Sequence, residues 1–145
     1  LAPIAGKLFD RKNPAFFSAL AFGSLSLYPL ILFISTYFAN LTTAMYIAFL
    51  GFFIYGIAIS GILITWNVSS MYFAGENDVA MFQSVHVTLT GLRGIIVPPL
   101  GFLIMKLFGI RPVFIVAILA LLVASFLNYK QYCAMDKKKF ALILK

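Results

Sequence analysis

The chain has 145 residues, of which 63% are hydrophobic, 17% aromatic and only 10% charged, with a formal net charge of +7. Soluble domains carry about 25% charged residues, so a chain this apolar (mean hydropathy +1.03) has too few charges to cover a water-exposed surface. No Asp, Glu, Lys or Arg occurs between Asn13 and Gly75, which points to an integral membrane protein.

A transmembrane barrel would show short strands of alternating polarity. Here the apolar runs are continuous and long enough for helices, so the predicted fold is all-α and polytopic, with about four transmembrane helices. No basic region with a cleavage site precedes the first apolar run, so no signal peptide is read. The chain reads as starting partway through a larger protein. The single cysteine, Cys133, excludes an internal disulfide and any Cys-based metal motif. The basic residues flank apolar spans, so the positive charge is assigned to membrane surfaces and not to nucleic acid.

Residues 6–14, GKLFDRKNP, form a basic loop, and Pro14 suits a first helical turn. The first span is predicted over about 15–39, with a kink at Pro29 where a backbone hydrogen bond is lost. Ala15, Ala19 and Gly23 recur at four-residue spacing, a small-residue stripe that lets another helix approach. Asn40 to Thr43 is a short turn, and a second span is expected over about 44–66. Gly56 and Ser60 make a second small-residue pair, and Trp66 falls where an interfacial aromatic would sit. Asn40-Leu41-Thr42 and Asn67-Val68-Ser69 match the glycosylation sequon but lie on opposite sides of the membrane, so both are taken as chance matches.

Residues 67–78 are expected to be a loop that ends in Glu76 and Asp78, two anions at the positive end of the next helix dipole. The third span, about 84–108, holds His86, Thr90 and Arg93. Together with Val97 they fall at i, i+4, i+7 and i+11, on one stripe. A span of about 20 residues ending near Lys106 puts Arg93 roughly 10 Å deep. A guanidinium there fits either contact with substrate or an interior ion pair, or else snorkelling to the headgroups. His86 by itself reads as interfacial. Gly91, Gly94, Pro98, Pro99 and Gly101 predict a broken or bent helix, and broken helices present free backbone dipoles in transporters. Gly109 to Pro112 is a turn, the fourth span covers about 112–129, and 130–145 is a basic tail.

Four spans return the chain to its starting side, which carries Lys7, Arg11, Lys12, Lys130, Lys137, Lys138, Lys139 and Lys145, against Lys106 and Arg111 opposite. Both ends are therefore expected in the cytosol, in a plasma or bacterial inner membrane. Catalysis is not expected, since the spans hold no paired carboxylates and the sequence has no G-x-S-x-G, H-E-x-x-H or P-loop. His86 lacks a second His or a Cys with which to share a metal, and no cofactor is implied.

At GKLFDRKNP, followed by two helical hairpins, the chain resembles the C-terminal part of a major facilitator superfamily transporter. Gly6, Leu8, Asp10 and Arg11 match that superfamily's loop motif G-x-L-x-D-R-x-G-R, while Asn13-Pro14 replaces its last Gly-Arg. GENDVAMFQSVHVTLTGLRGIIVPPLG is similar to the loop and penultimate helix, and the order of basic loop, hairpins and basic tail is similar to the last four of twelve helices. The resemblance implies alternating access for a small solute, with the lipid bilayer, the substrate and an absent N-terminal half as partners. Asp10 and Arg11 would latch onto a helix of that half, and Glu76 and Asp78 would receive its basic loop. The 145 residues alone would then not transport. The competing reading is a self-contained four-span subunit or assembly protein, which predicts an oligomer through the Ala15/Ala19/Gly23 or Gly56/Ser60 face.

Overall fold

A computed structural model describes the backbone of residues 14–74 and 78–143, with side chains over 15–63 and 78–135. Five helices follow in order: α1 (Pro14–Leu25), α2 (Leu27–Ser35), α3 (Leu41–Ala74), α4 (Val79–Phe108) and α5 (Ile110–Ile143). Helices α1 and α2 form one span, so the described chain has four segments long and apolar enough to cross a bilayer: Ala15–Ser35, Leu41–Leu63, Val79–Phe108 and Ile110–Met135. No strand occurs among the described residues. The fold is an all-α, four-span, multi-pass membrane protein.

The first span is interrupted at Ser26, one turn before Pro29. Pro29 has no N–H for the carbonyl of Leu25, and its ring crowds that carbonyl. Two serine hydroxyls take up local carbonyls at the break, Ser24 Oγ donating to Ala21 O at 2.9 Å and Ser26 Oγ to Gly23 O at 2.6 Å. Such back-bonding also bends helices. Of the broken or bent helix expected at Pro98-Pro99, the break is absent, for α4 runs uninterrupted through both prolines. Each proline frees one carbonyl a turn upstream, but the flanking turns keep their bonds and the helix persists.

Helix ends fall elsewhere than expected where a cap forms. Asn40 Oδ1 accepts from the N–H of Thr42 at 2.9 Å and of Thr43 at 3.4 Å, so the second span starts at Leu41 and not at 44. It also continues to Ala74, through most of the segment expected to be a loop. Asp78, in extended conformation, accepts from Ala80 N at 2.9 Å and Met81 N at 3.2 Å, which starts α4 five residues before 84. The turn between α4 and α5 is a single residue, Gly109. Its φ of 85° lies in the left-handed region, and its N–H returns to Met105 O at 2.9 Å. Pro112 then sits inside the first turn of α5, where the missing N–H has no helical partner to lose. Residues 130–143, expected as a tail, extend α5.

The span α1–α2 is the centre of the bundle and packs against both α3 and α5. Its buried residues are Ala15, Phe17, Ser18, Ala19, Ala21, Ser26 and Pro29, joined from α3 by Ala58 and Ile62. An alanine-rich central helix lets neighbouring backbones come close, which is how helices pack where lipid removes the hydrophobic drive between them. A methyl placed on Gly61 would lie 3.6 Å from Ala21 Cβ, and one on Gly51 would lie 3.3 Å from Ile31 Cγ2. Tyr28 fills the remaining α2–α3 gap, with ring centroids 5.4 Å from Phe52 and 4.9 Å from Tyr55. Large apolar side chains such as Phe49, Phe53, Ile95, Phe108 and Phe126 point outward. On a soluble protein that surface would aggregate, whereas in a bilayer it meets hydrocarbon.

Candidate functional site

Helix α4 is the outlier of the bundle. It touches α3 and α5 but contributes no buried residue over its 30 positions. Of its polar stripe, His86 and Thr90 are half-buried, while Arg93 and Val97 are exposed. The structure thus puts the three predicted polar residues on one helix face, with His86 and Thr90 partly covered by the bundle and Arg93 more exposed. Arg93 is 14 residues from the start of α4, so it lies about 21 Å along a helix about 45 Å long. A charge at that level is costly in hydrocarbon and is normally met by protein or by water in a cavity.

The glycines on the same helix agree. A methyl built on Gly91, Gly94 or Gly101 meets nothing within 4 Å. Gly91 and Gly94 flank Arg93, so a backbone surface bare of side chains adjoins the one cation at mid-helix. Such a surface suits close approach by another helix or by a polar ligand. The hydroxyls nearby are turned inward on their own helix, Ser84 Oγ donating to Met81 O and Thr88 Oγ1 to Ser84 O, both at 2.8 Å. Among the described residues no group of three or more His, Cys, Asp or Glu gathers as a metal site would.

Other expected site residues fall outside this face. Gly6, Leu8, Asp10, Arg11 and Glu76 lie outside the described residues. Asp78 is an N-cap of α4, its carboxylate engaged by two backbone N–H groups. The Ala15/Ala19/Gly23 stripe is used within the chain. Ala15 and Ala19 are buried, Ser125 Oγ of α5 donates to Ala19 O at 2.7 Å, and a methyl on Gly23 would lie 3.2 Å from that Oγ. This stripe therefore packs against α5 within the chain, with Ala19 and Gly23 also reaching an open cleft beside it. Gly56 remains open, with nothing within 4 Å, and Ser60 bonds to its own helix at Ile57 O.

Two features were missed in the sequence. Arg111 donates through Nη2 to Thr36 O at 3.2 Å and lies 4.4 Å over the Tyr37 ring. It caps the C-terminus of α2 with a cation and stacks on an aromatic face. This clip also places the 36–40 and 109–111 turns at one end of the bundle, as four antiparallel spans require. At the opposite end Phe16 of α1 meets Tyr132 of α5, ring centroids 5.3 Å apart. Between α1 and α5 lies the second feature, a cleft of about 440 Å³ floored by Ala19, Gly23 and Ser125 and walled by Leu20, Leu122 and Phe126. Ser125 as a lone hydroxyl amid VFIVAILALLVASF was the only signal for it.

Comparison with known families, with curated proteins and with solved structures gives no match to the chain.

Proposed function

We propose that the chain is part of a secondary transporter for a small solute, in which α4 lines a water-accessible pathway completed by helices beyond the four described. The observation that carries the reading is the position of Arg93. It is exposed at the middle of a membrane-length helix that has no buried residue, beside two open glycines and above half-buried Thr90 and His86. A lipid-facing guanidinium at that depth is unfavourable, so this face is expected to meet protein or a wet cavity. A cationic wall favours a solute bearing a carboxylate or another anionic group. The resemblance of residues 6–14 to the superfamily's loop motif supports the same reading and adds alternating access, with Asp10 and Arg11 as a latch on the partner half.

The test needs no knowledge of the solute. In a Cys133→Ser background and in native membranes, Arg93→Cys should react with a small, membrane-impermeant thiol reagent. Leu92→Cys, 100° around the helix, should not. Equal protection of both positions would remove the pathway. In the whole protein, Asp10→Asn should shift the conformational bias or impair flux.

A second reading, a four-span subunit acting through helix–helix contact, is favoured by Gly56, which leaves part of α3 open as well. It predicts a homo-oligomer disrupted by Gly56→Leu and no water access at position 93.

A further inference from the structure

The cleft between α1 and α5 belongs to neither reading of α4, and its chemistry is specific. Its residues run on α1 from Phe16 to Ser24 and on α5 from Leu122 to Tyr129. Because α1 and α5 are antiparallel, Phe16 and Tyr129 mark one end, and Gly23, Ser24 and Leu122 the other. Eight residues of helix separate the two ends on α1, or about 12 Å. One leaflet of a bilayer has a hydrocarbon depth of about 15 Å. The cleft therefore occupies a single leaflet, opening sideways into it, with its shallow end at the level where α1 begins.

The interior suits hydrocarbon. Leu20, Leu122, Phe16 and Phe126 supply the walls, and the two serine hydroxyls already donate, Ser125 Oγ to Ala19 O and Ser24 Oγ to Ala21 O. Neither serine hydroxyl is left to donate into the space, so away from the Tyr129 end the lining is apolar and suits an apolar guest. The shallow end is different. Tyr129 lies there beside Tyr132, ring centroids 6.2 Å apart, and Lys130 follows with its side chain exposed. Tyrosines at that level form an interfacial belt. A cation beside a cleft between spans, at a membrane surface, is what anionic headgroups bind.

We propose that this cleft is a binding site for one anionic phospholipid, an acyl chain lying between α1 and α5 and the phosphate held near Lys130 and Tyr129. The guest caps a central span whose packing residues are mostly small, and so it completes an interface that the protein leaves partly unfilled.

The test is lipid retention. The full protein is reconstituted in vesicles of phosphatidylcholine with 30% phosphatidylglycerol, extracted into mild detergent and examined by native mass spectrometry. One phosphatidylglycerol per chain should be retained in preference to phosphatidylcholine. Lys130→Gln should weaken that preference about fivefold, the effect of one surface lysine on an anionic lipid. Leu20→Trp should fill the cleft and abolish retention, while Leu50→Trp, an exposed position on α3, should leave it unchanged. Should Leu20→Trp misfold, as circular dichroism would show, Lys130→Gln and its loss of headgroup preference decide alone. Equal retention of the neutral lipid overturns the proposal. So does retention that survives Leu20→Trp in a folded protein, which would place the lipid on the general surface. A dimer that Leu20→Trp dissolves without changing lipid retention would assign the cleft to a second copy of the chain instead.

Discussion

The contact between α1 and α5 makes a sharp energetic prediction, because one hydroxyl serves both as a bond and as a spacer. Ser125 Oγ donates to Ala19 O at 2.7 Å, and the methyl of a Gly23→Ala substitution would arrive 3.2 Å from that oxygen. Interhelical hydrogen bonds in membranes average about 0.6 kcal/mol and reach about 1.7. Ser125→Ala should therefore cost about 0.6 kcal/mol. It should not cost more, because Ala19 O is an interior helix carbonyl and keeps the bond from its own helix. Gly23→Ala brings two opposed effects. Helix propensity favours it by up to about 1 kcal/mol, while the new methyl forces Ser125 to rotate away and forfeits the bond, about 0.6 kcal/mol. The net change should be a gain of at most about 0.4 kcal/mol. In the Gly23→Ala background the bond is already gone, so adding Ser125→Ala should cost nothing. Reversible unfolding of the four proteins in mixed micelles, as a double-mutant cycle, reads this directly. If Ser125→Ala costs the same 0.6 kcal/mol in both backgrounds, the hydroxyl does not lie where Gly23 would carry its methyl, and the close approach of the two helices is wrong.

Three other outcomes follow from single contacts. Arg111→Ala should lower stability by about 1 kcal/mol, combining the lost C-terminal cation and the stacking on Tyr37, with partial recovery in Arg111→Lys; thermal unfolding in detergent measures both. Asp78→Ala should cost about 1 kcal/mol and fray the start of α4, visible as faster amide exchange at Ala80 and Met81, whereas Asp78→Asn should keep most of the cap. Gly91→Ala and Gly94→Ala should each be neutral or stabilising by up to about 1 kcal/mol in the isolated chain, since nothing lies within 4 Å of the added methyl. Either one destabilising the isolated chain would mean that α4 packs more tightly than described.

The four spans and their order were legible because lipid imposes a coarse rule: about 20 apolar residues, uninterrupted by charge, must form a helix. The ends were not, because they depend on single side chains. Asn40, read as part of a turn, starts its helix at Leu41 and not at 44, by accepting from backbone N–H groups that would otherwise be unpaired. Asp78, read as an anion at the start of the next helix dipole, does cap that helix, but through two backbone N–H groups that hydropathy does not see. The prolines show the same limit. Pro29 sits at a break and Pro98-Pro99 do not, although all three remove a donor. What differs is the setting: Pro29 is buried between neighbours, with serines at 24 and 26 taking local carbonyls, while the pair in α4 stands on a helix with no buried residue.

Which helix faces which could not come from periodicity, for these helices are apolar all round and carry no amphipathic signal. Volume decides instead. The residues that meet are the small ones, Ala19, Gly23, Gly51, Ala58 and Gly61, and each of those glycines has a neighbour within 3.6 Å of an added methyl. The glycines of α4 have none. In a membrane, a glycine that admits no neighbour gives up helix propensity without any gain in packing. Gly91 and Gly94 on either side of Arg93, with Gly101 two turns on, leave open backbone on one helix, and that directs the search for a partner to α4 rather than to the better-packed helices.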